Sequence, residues 1–122
     1  KTGSTCALKS VQKRGPSERE ALANEITVHA ACCHPNIVRI YETFEDLAWV
    51  HIAMEACEGG DLYSFQCDEG LLFEHEAALV MLQVLRAVLY LHGVNFVVHR
   101  DLKLENLLLK YRDVPLEHNI VK

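Results

Sequence analysis

The stretch VVHRDLKLEN, Val97–Asn106, alternates leucines with charged side chains directly behind an aliphatic run. Burying charged groups without partners is costly, because a desolvated charge shifts its pKa or destabilises the fold. An ordinary solvated loop would not need Leu102, Leu104 and Leu107 threaded between the charges. The pattern therefore predicts a loop that leucines anchor to an apolar unit while its polar groups face a shared cleft. The ionisable members are His99, Arg100, Asp101, Lys103 and Glu105.

The overall composition is that of an ordinary globular protein. Half of the 122 residues are hydrophobic, 24% are charged, and the formal net charge is −5. No basic run is present to neutralise phosphates, so nucleic acid is not expected as a partner. The most apolar segment, Ala77–Leu91, is interrupted by Gln83 and Arg86 and is shorter than the roughly 20 residues that span a bilayer, so no membrane segment is expected. The opening KTGST carries no signal pattern and is typical of the interior of a longer chain.

The five cysteines occur without a C-x-x-C pair. Adjacent thiolates at Cys32 and Cys33 would splay apart, and no second ligand pair lies at zinc spacing, so these residues predict no metal site. Reduced, structural thiols are expected, which favours an intracellular, cytoplasmic protein. The cysteines are Cys6, Cys32, Cys33, Cys57 and Cys67.

The first half of the chain predicts a small antiparallel sheet with one helix. Residues 5–12 alternate as a short strand. Ser17 opens a capping box, Ser-x-x-Glu, ahead of a helix expected from about Glu18 to Cys32. Ile37–Phe44 and Trp49–Met54 are predicted to form the two strands of an antiparallel hairpin, joined by an acidic turn.

The second half predicts helices. EGGD, residues 58–61, is expected to be a flexible break between two packing units, and Asp61 can cap a short helix. A long helix is predicted from about Glu74 to His92, with Gly93 as its C-terminal cap. Two apolar stripes along it predict that the helix is buried on most sides. The neighbouring segments of this chain offer too little apolar surface to cover both stripes. The stripes are Ala77, Met81, Val84, Val88 and Leu91, and Ala78, Leu82, Leu85 and Leu89.

HRDLKLEN, His99–Asn106, resembles the catalytic loop of eukaryotic protein kinases, H-R-D-L-K-x-x-N, with every position filled. Three upstream stretches resemble further kinase elements in the family's order: CALK, HPNIV, and the hinge-like MEACEGGDL. The resemblance covers nearly the whole chain and implies an α+β class, a partial protein-kinase-like fold. Residues 1–57 would form a small antiparallel-sheet N-lobe with one helix. Residues 58–122 would form the first helices and catalytic loop of a mainly helical C-lobe.

The resemblance also implies ATP and Mg²⁺ as cofactors. Lys9, which ends CALK, would hold the α- and β-phosphates, and Glu25 on the following helix would pair with it. Taken alone, a lysine on a strand is most often a solvated side chain, but the order of the motifs favours the ATP site. Asn106 would offer Mg²⁺ a carbonyl oxygen, a hard ligand. The other ATP-binding residues implied are Ala7, Met54, Glu55, Cys57 and Asp61.

Phosphoryl transfer asks the protein mainly to position reactants and to neutralise phosphate charge. Asp101 would accept the proton of the attacking hydroxyl, and Lys103 would offset negative charge on the γ-phosphate. By resemblance, Arg100 would pair with a phosphorylated activation segment. His99 is expected to be a structural hydrogen-bonding residue rather than an acid or base.

Lys103 is typical of serine/threonine kinases rather than tyrosine kinases. Asp61 and Glu105 resemble acidic positions that receive substrate arginines, although a helix cap and a solvated loop residue explain them equally well. A protein substrate with basic residues near the phosphosite is therefore the expected partner. The hinge and long helix most resemble the calcium/calmodulin-dependent or calcium-dependent protein kinase group. No calcium-binding loop is present, so calcium regulation would act through regions outside this chain.

Two hypotheses stay open because G-x-G-x-x-G, D-F-G and A-P-E do not occur in the 122 residues. In the first, the chain is a fragment of an active serine/threonine kinase and is inactive alone. In the second, it is a truncated, non-catalytic interaction module.

Overall fold

The computed structural model describes residues 5–122. Residues 1–4 of the opening KTGST, for which no signal pattern is predicted, lie outside that part. The chain forms two compact units. The first unit comprises the residues up to Cys33 together with Val38–Ala56, and the second comprises His34–Ile37 and Cys57–Lys122. In chain order, the elements are β1 (Cys6–Gln12), α1 (Pro16–Ala30), β2 (Ile40–Glu45), β3 (Trp49–Glu55), α2 (Leu62–Glu69), α3 (Glu74–Gly93) and the 3-10 helices Leu104–Asn106 and Leu116–His118.

The first unit is built on a three-stranded antiparallel sheet in the order β1-β3-β2. This confirms the predicted strand, helix and hairpin. The central strand β3 pairs with both neighbours, and its Ile52 is buried. β2 begins at Ile40, three residues later than predicted, because the preceding residues turn: the Ile37 N–H donates to the carbonyl of His34 at 3.1 Å.

Helix α1 begins before the predicted position. Its N-cap is Gly15, which makes no side-chain capping hydrogen bond, and Pro16 stands in the first turn. Proline starts a helix well because its φ is fixed near the helical value and its missing N–H is one the first turn leaves unsatisfied. The capping box at Ser17 is therefore wrong, and Ser17 lies inside the helix. The helix also ends earlier than predicted, at Ala30.

The main apolar core lies in the second unit, between α2, α3 and the segment after residue 103. Phe65, Leu72, Val88, Leu104 and Leu107 pack around it. Burial of this cluster removes apolar surface from water, which is the dominant favourable term in folding. The buried members are Leu62, Val80, Val84, Leu109, Leu116 and Val121.

Residues 58–61 are not the flexible break that their glycines predict. The N–H groups of Glu58 and Gly59 donate to the carbonyls of Lys110 and Leu109 at 3.0 and 2.9 Å, and the Leu109 N–H donates to the carbonyl of Gly60 at 2.8 Å. The boundary between the units lies just before, at Ala56 and Cys57. The segment thus belongs to the second unit and is held there by backbone hydrogen bonds.

Helix α3 starts as predicted, with Phe73 at the N-cap and its N–H donating to Glu76 Oε2 at 2.8 Å. Its end differs. Gly93 is the last helical residue, and Val94 is the C-cap in a right-handed conformation, so the predicted glycine cap is wrong. A glycine cap requires a left-handed residue after the helix, and this chain does not use one there.

The predicted burial of α3 on most sides is also wrong within the described residues. Val84 and Leu91 are buried, whereas Leu82, Leu85 and Leu89 are 45%, 58% and 73% exposed. The residues of α3 in or against the core cluster are Val80, Val84 and Val88. Val84 and Val88 belong to the first predicted stripe, whereas Val80 belongs to neither, and Met81 of the first stripe is 50% exposed. By length and composition α3 could cross a membrane, which is weak evidence because core helices of soluble proteins pass the same test.

Candidate active site

The loop between α3 and the first 3-10 helix carries the HRDLKLEN motif. Leu104 and Leu107 pack against the core cluster and anchor the loop, as predicted. Leu102 does not: it is 51% exposed. The anchoring therefore begins at the 3-10 turn, where the Asn106 N–H donates to the carbonyl of Lys103 at 3.0 Å and folds the chain back on itself.

This turn brings together the two predicted catalytic side chains, Asp101 and Lys103, and the predicted metal ligand, Asn106. The Asn106 amide nitrogen donates to the carbonyl of Asp101 at 2.9 Å and to its Oδ2 at 3.0 Å. Lys103 Nζ lies 3.4 Å from the same Oδ2. The amide hydrogen bond and the ion pair meet on one carboxylate oxygen and orient Asp101. Its Oδ1 is left without a hydrogen-bond partner anywhere in residues 5–122.

His99 and Arg100 shape the backbone before the aspartate. The Asp101 N–H donates to His99 Nδ1 at 3.2 Å, so this nitrogen acts as an acceptor and the ring has the structural role predicted for it. Arg100 has φ of 69°, a left-handed conformation that costs a residue with a Cβ about 1 kcal/mol or more. Its side chain is exposed and forms no ion pair within the part of the chain that the structure describes.

The arrangement suits proton acceptance beside a cation site. The free Oδ1 of Asp101 can accept a proton from a hydroxyl placed against it. Asn106 turns its amide nitrogen towards Asp101, and its carbonyl oxygen has no hydrogen bond within residues 5–122. An amide oxygen of this kind is a hard ligand that fits Mg²⁺. Lys103 adds positive charge where phosphate oxygens would need it.

The ATP-binding residues predicted in the first unit lie along the β1–β3 ladder. Ala7 pairs with Met54 and Lys9 with Ile52. Ala7 and Lys9 share a face of β1, because alternate residues of a strand point the same way. Glu25 is an exposed residue of α1, and no ion pair joins it to Lys9 in the described chain. Lys9 and Glu25 thus lie in the same unit, but the predicted ion pair between them is not formed.

The hinge-like stretch MEACEGGDL divides between the units. Met54 and Glu55 end β3, where the Glu55 N–H donates to the carbonyl of Arg39 at 2.8 Å. Cys57 is half-buried and belongs to the second unit.

Asp61 caps α2. Its Oδ1 accepts the Ser64 N–H and its Oδ2 accepts the Ser64 hydroxyl, both at 2.8 Å. The backbone hydrogen bond from Ser64, followed by the hydroxyl, lowers the pKa of Asp61 below its ordinary value. The helix-cap alternative is therefore realised in the structure. Glu105 is exposed in the first 3-10 helix, with no ion pair in residues 5–122.

Sequence reasoning missed the amide network that holds the segment after the catalytic loop. Gln83 Oε1 accepts the Asn36 side-chain N–H at 2.8 Å and the Val121 N–H at 2.9 Å, and Asn36 also donates to the carbonyl of Val121 at 2.8 Å. In the sequence, Gln83 stands out only as an interruption of an apolar run. The only signal in the sequence is that Gln83 is a polar residue among apolar neighbours on α3, because a polar side chain in such surroundings needs hydrogen-bond partners.

A sequence model of the protein kinase domain matches residues 1–119. The chain therefore belongs to the protein kinase family, which confirms the resemblance carried by its motifs. Calcium-dependent and calmodulin-dependent kinases are among its relatives. It is 37% identical over 108 residues to calcium-dependent protein kinase 5 of Plasmodium berghei, and 43% identical over 103 residues to calcium/calmodulin-dependent protein kinase type 1 of Macrobrachium nipponense. It is also 40% identical over 110 residues to a probable myosin light chain kinase of Dictyostelium discoideum.

These matches cover most of this chain but little of each relative. They span 88%, 84% and 90% of the chain and, in the same order, 19%, 30% and 34% of the relatives. The matched part of the chain thus corresponds to between 19% and 34% of the length of these curated proteins.

Proposed function

We propose that this chain is part of a kinase domain that transfers the γ-phosphoryl group of ATP to serine and threonine hydroxyls of protein substrates. The observation that supports this most is the joint contact of Asn106 and Lys103 with the Asp101 carboxylate. Phosphoryl transfer depends on positioning and charge neutralisation, and this cluster offers a proton acceptor, a cation and a hard oxygen ligand within a few residues.

In this proposal Asp101 orients the substrate hydroxyl and accepts its proton through the free Oδ1. Lys103 neutralises charge on the phosphoryl group. Asn106 holds its amide nitrogen on Asp101 and presents its carbonyl oxygen to Mg²⁺, whose chemistry is to neutralise the phosphates of ATP.

In the first unit, the nucleotide would lie against residues of the β1–β3 ladder. Lys9 would bind the α- and β-phosphates, with Glu25 pairing with it in the active arrangement. Backbone groups of Met54, Glu55 and Cys57 would bind adenine, beside Ala7. In the second unit, Asp61 at the start of α2 is the remaining residue that the resemblance implies for ATP binding.

Lys103 and the kinds of relatives support the serine/threonine class over the tyrosine class. Glu105 is exposed, and the carboxylate of Asp61 is kept ionised by its capping contacts, so both can attract basic residues of a substrate. Arg100, with no ion pair in the described chain, would receive a phosphorylated residue from a segment outside it. Calcium regulation would act through such outside regions, and an intracellular location follows from the same proposal.

The test joins this chain to its flanking coding sequence and measures transfer from labelled ATP with Mg²⁺ to three peptides that differ only in having Ser, Thr or Tyr. Transfer to the Ser and Thr peptides is expected, and Asp101→Asn should lower the rate by about 10²–10⁴-fold, the usual contribution of a positioned base. Asp68→Asn, which changes an exposed carboxylate of α2, is the matched control and should leave the rate unchanged.

Unchanged activity of Asp101→Asn, or transfer to the Tyr peptide alone, would contradict the proposal. An extended protein with no activity would favour the non-catalytic interaction module instead. The 122-residue chain alone is expected to transfer no phosphate.

A further inference from the structure

Ser10 and His51 meet across the β1–β3 ladder, where they occupy paired positions. Ser10 Oγ lies 2.8 Å from His51 Nδ1. On the other side of the ring, His51 Nε2 lies 3.2 Å from Asp46 Oδ2. A hydroxyl, an imidazole and a carboxylate therefore form one continuous chain of hydrogen bonds in the first unit.

The contacts of Asp46 fix the direction of this chain. Its Oδ1 accepts the N–H groups of Ala48 and Trp49, both at 2.8 Å, and these bonds, followed by that from His51, lower the pKa of Asp46. An ionised carboxylate can only accept, so the proton of a neutral His51 ring resides on Nε2. Nδ1 is then an acceptor, and the Ser10 hydroxyl donates to it.

The surroundings hold the imidazole and leave the hydroxyl accessible. Phe44 stacks on the His51 ring with centroids 5.0 Å apart, and the His51 side chain is 20% exposed. Lys13 donates to the carbonyl of Asp46 and pairs with Glu45 Oε2 at 2.7 Å, which fixes the turn that carries Asp46. Ser10 itself is exposed. A base held in place by a third group, next to an accessible hydroxyl, is the arrangement that activates serine nucleophiles.

This cluster is separate from the proposed phosphoryl-transfer residues. Ser10 follows Lys9 directly in β1, so their side chains point to opposite faces of the sheet. No residue of the cluster has a role in the proposed kinase reaction, and the sequence motifs give none of them a function.

We propose that Ser10 is a nucleophilic modification site that is acylated by activated esters, the class that includes thioesters and aryl esters. Ser10 Oγ attacks the acyl carbon while its proton moves to His51 Nδ1, and the Nε2 proton stays on the bond to Asp46. The bond from the acyl carbon to the leaving thiolate or phenolate breaks, and the leaving group takes up the proton. One acylation of each chain results, and the product ester can no longer donate to His51.

The experiment treats the folded protein with an aryl acetate and measures acetylation of each serine by peptide mass spectrometry. Ser64 is the internal reference: its hydroxyl is also exposed and donates to a carboxylate, that of Asp61, at 2.8 Å, but it contacts no imidazole. Ser10 acetylation should exceed that of Ser64 by about tenfold or more, because a positioned base contributes at least that much. His51→Gln, which keeps a hydrogen-bonding side chain but removes the base, should lower Ser10 acetylation to the level of Ser64.

Circular dichroism checks that His51→Gln is folded. If the variant is unfolded, the natural protein alone tests the proposal. Its excess of Ser10 acetylation over Ser64 acetylation must disappear in concentrated urea, where Ser10, His51 and Asp46 separate. Equal acetylation of Ser10 and Ser64 in the folded protein, an excess that persists in urea, or an excess that a folded His51→Gln retains would each overturn the proposal.

Discussion

The side-chain amide nitrogen of Asn106 lies 3.0 Å from Oδ2 of Asp101, so the residue proposed to bind the metal also holds the residue proposed to accept the proton. The two functions use different atoms of one amide. Substitutions at Asn106 can therefore separate ligand loss from loss of orientation.

Asn106→Ala removes both atoms and should lower phosphoryl transfer by the extended kinase domain about tenfold or more, with a higher Mg²⁺ requirement. Asn106→Asp keeps an oxygen ligand but loses the donor and sets a second carboxylate beside Asp101, where like charges repel. We expect it to need less Mg²⁺ than Asn106→Ala while remaining slower than the natural protein. Rates measured across a Mg²⁺ titration give both quantities, and an Ala variant with a natural Mg²⁺ dependence would contradict the ligand role.

Gly59→Ala should destabilise the second unit by about 2 kcal/mol, a typical value for a steric substitution in packed structure. A Cβ at Gly59 would lie 2.5 Å from the carbonyl oxygen of Tyr111 and 2.7 Å from Leu109 Cβ. The matched control is Gly93→Ala, because Gly93 is helical with open space around it, so alanine there should stabilise by up to about 1 kcal/mol. Urea unfolding midpoints measure both, and equal shifts would refute the close approach.

The cap of α2 should make stability depend on pH in the acidic range. Because the folded pKa of Asp61 is below its ordinary value of 3.8, its ionised form contributes stability that is full above this value. That contribution is lost as the pH falls from 3.8 through the folded pKa. Asp61→Asn cannot titrate, so the stability difference between it and the natural protein should shrink over the same range. Thermal unfolding at a series of pH values measures it, and a difference that stays constant would exclude the effect.

His34 should produce a second pH dependence at higher pH. Desolvation, and then the charges of Lys122 and Arg86, lower its pKa from 6.5, and its Nδ1 accepts the Asn36 N–H at 3.0 Å. Protonation removes that acceptor, so stability is full above 6.5 and falls as the pH drops from 6.5 through the folded pKa. The tilted contact of His34 with the Tyr90 ring, 5.1 Å between centroids, does not replace this bond.

The check on His34 is the change in urea midpoint between about pH 7.5 and pH 5, a range that brackets the ordinary pKa of histidine. His34→Asn keeps an acceptor that does not titrate and should show a smaller change than the natural protein. The same change in both proteins would assign the dependence to other groups.

Local patterns predicted the elements of this chain well, and they failed at the helix ends and at the burial of α3. The predicted capping box at Ser17 does not start the helix, because the helix already begins at Pro16. Gly93 was assigned as a cap because of its residue type, but the backbone there stays right-handed. The stripe of Leu82, Leu85 and Leu89 was correctly identified as apolar. Periodicity reports which residues share a face, not what covers that face.

The two candidate sites differ in how far apart their residues lie in the sequence. The residues around Asp101 lie within a few positions of one another, so a motif could identify them. Ser10 and His51 are 41 residues apart and meet only because β1 and β3 pair in one register. A one-residue slip would place Ser10 on the opposite face from His51. No single-sequence pattern carries that information.

The Gln83 network also sets an order for folding during synthesis. Asn36 donates to the carbonyl of Val121, 85 residues later in the chain, and Gln83 receives N–H groups from both. All the strands of the first unit precede Ala56, so that unit can form once Ala56 has left the ribosome, before Val121 has emerged. The hydrogen bond from the Asn36 side chain to Val121 must wait until Val121 leaves the ribosome. Until then this contact is absent, so the second unit closes only after the residues around Val121 have emerged.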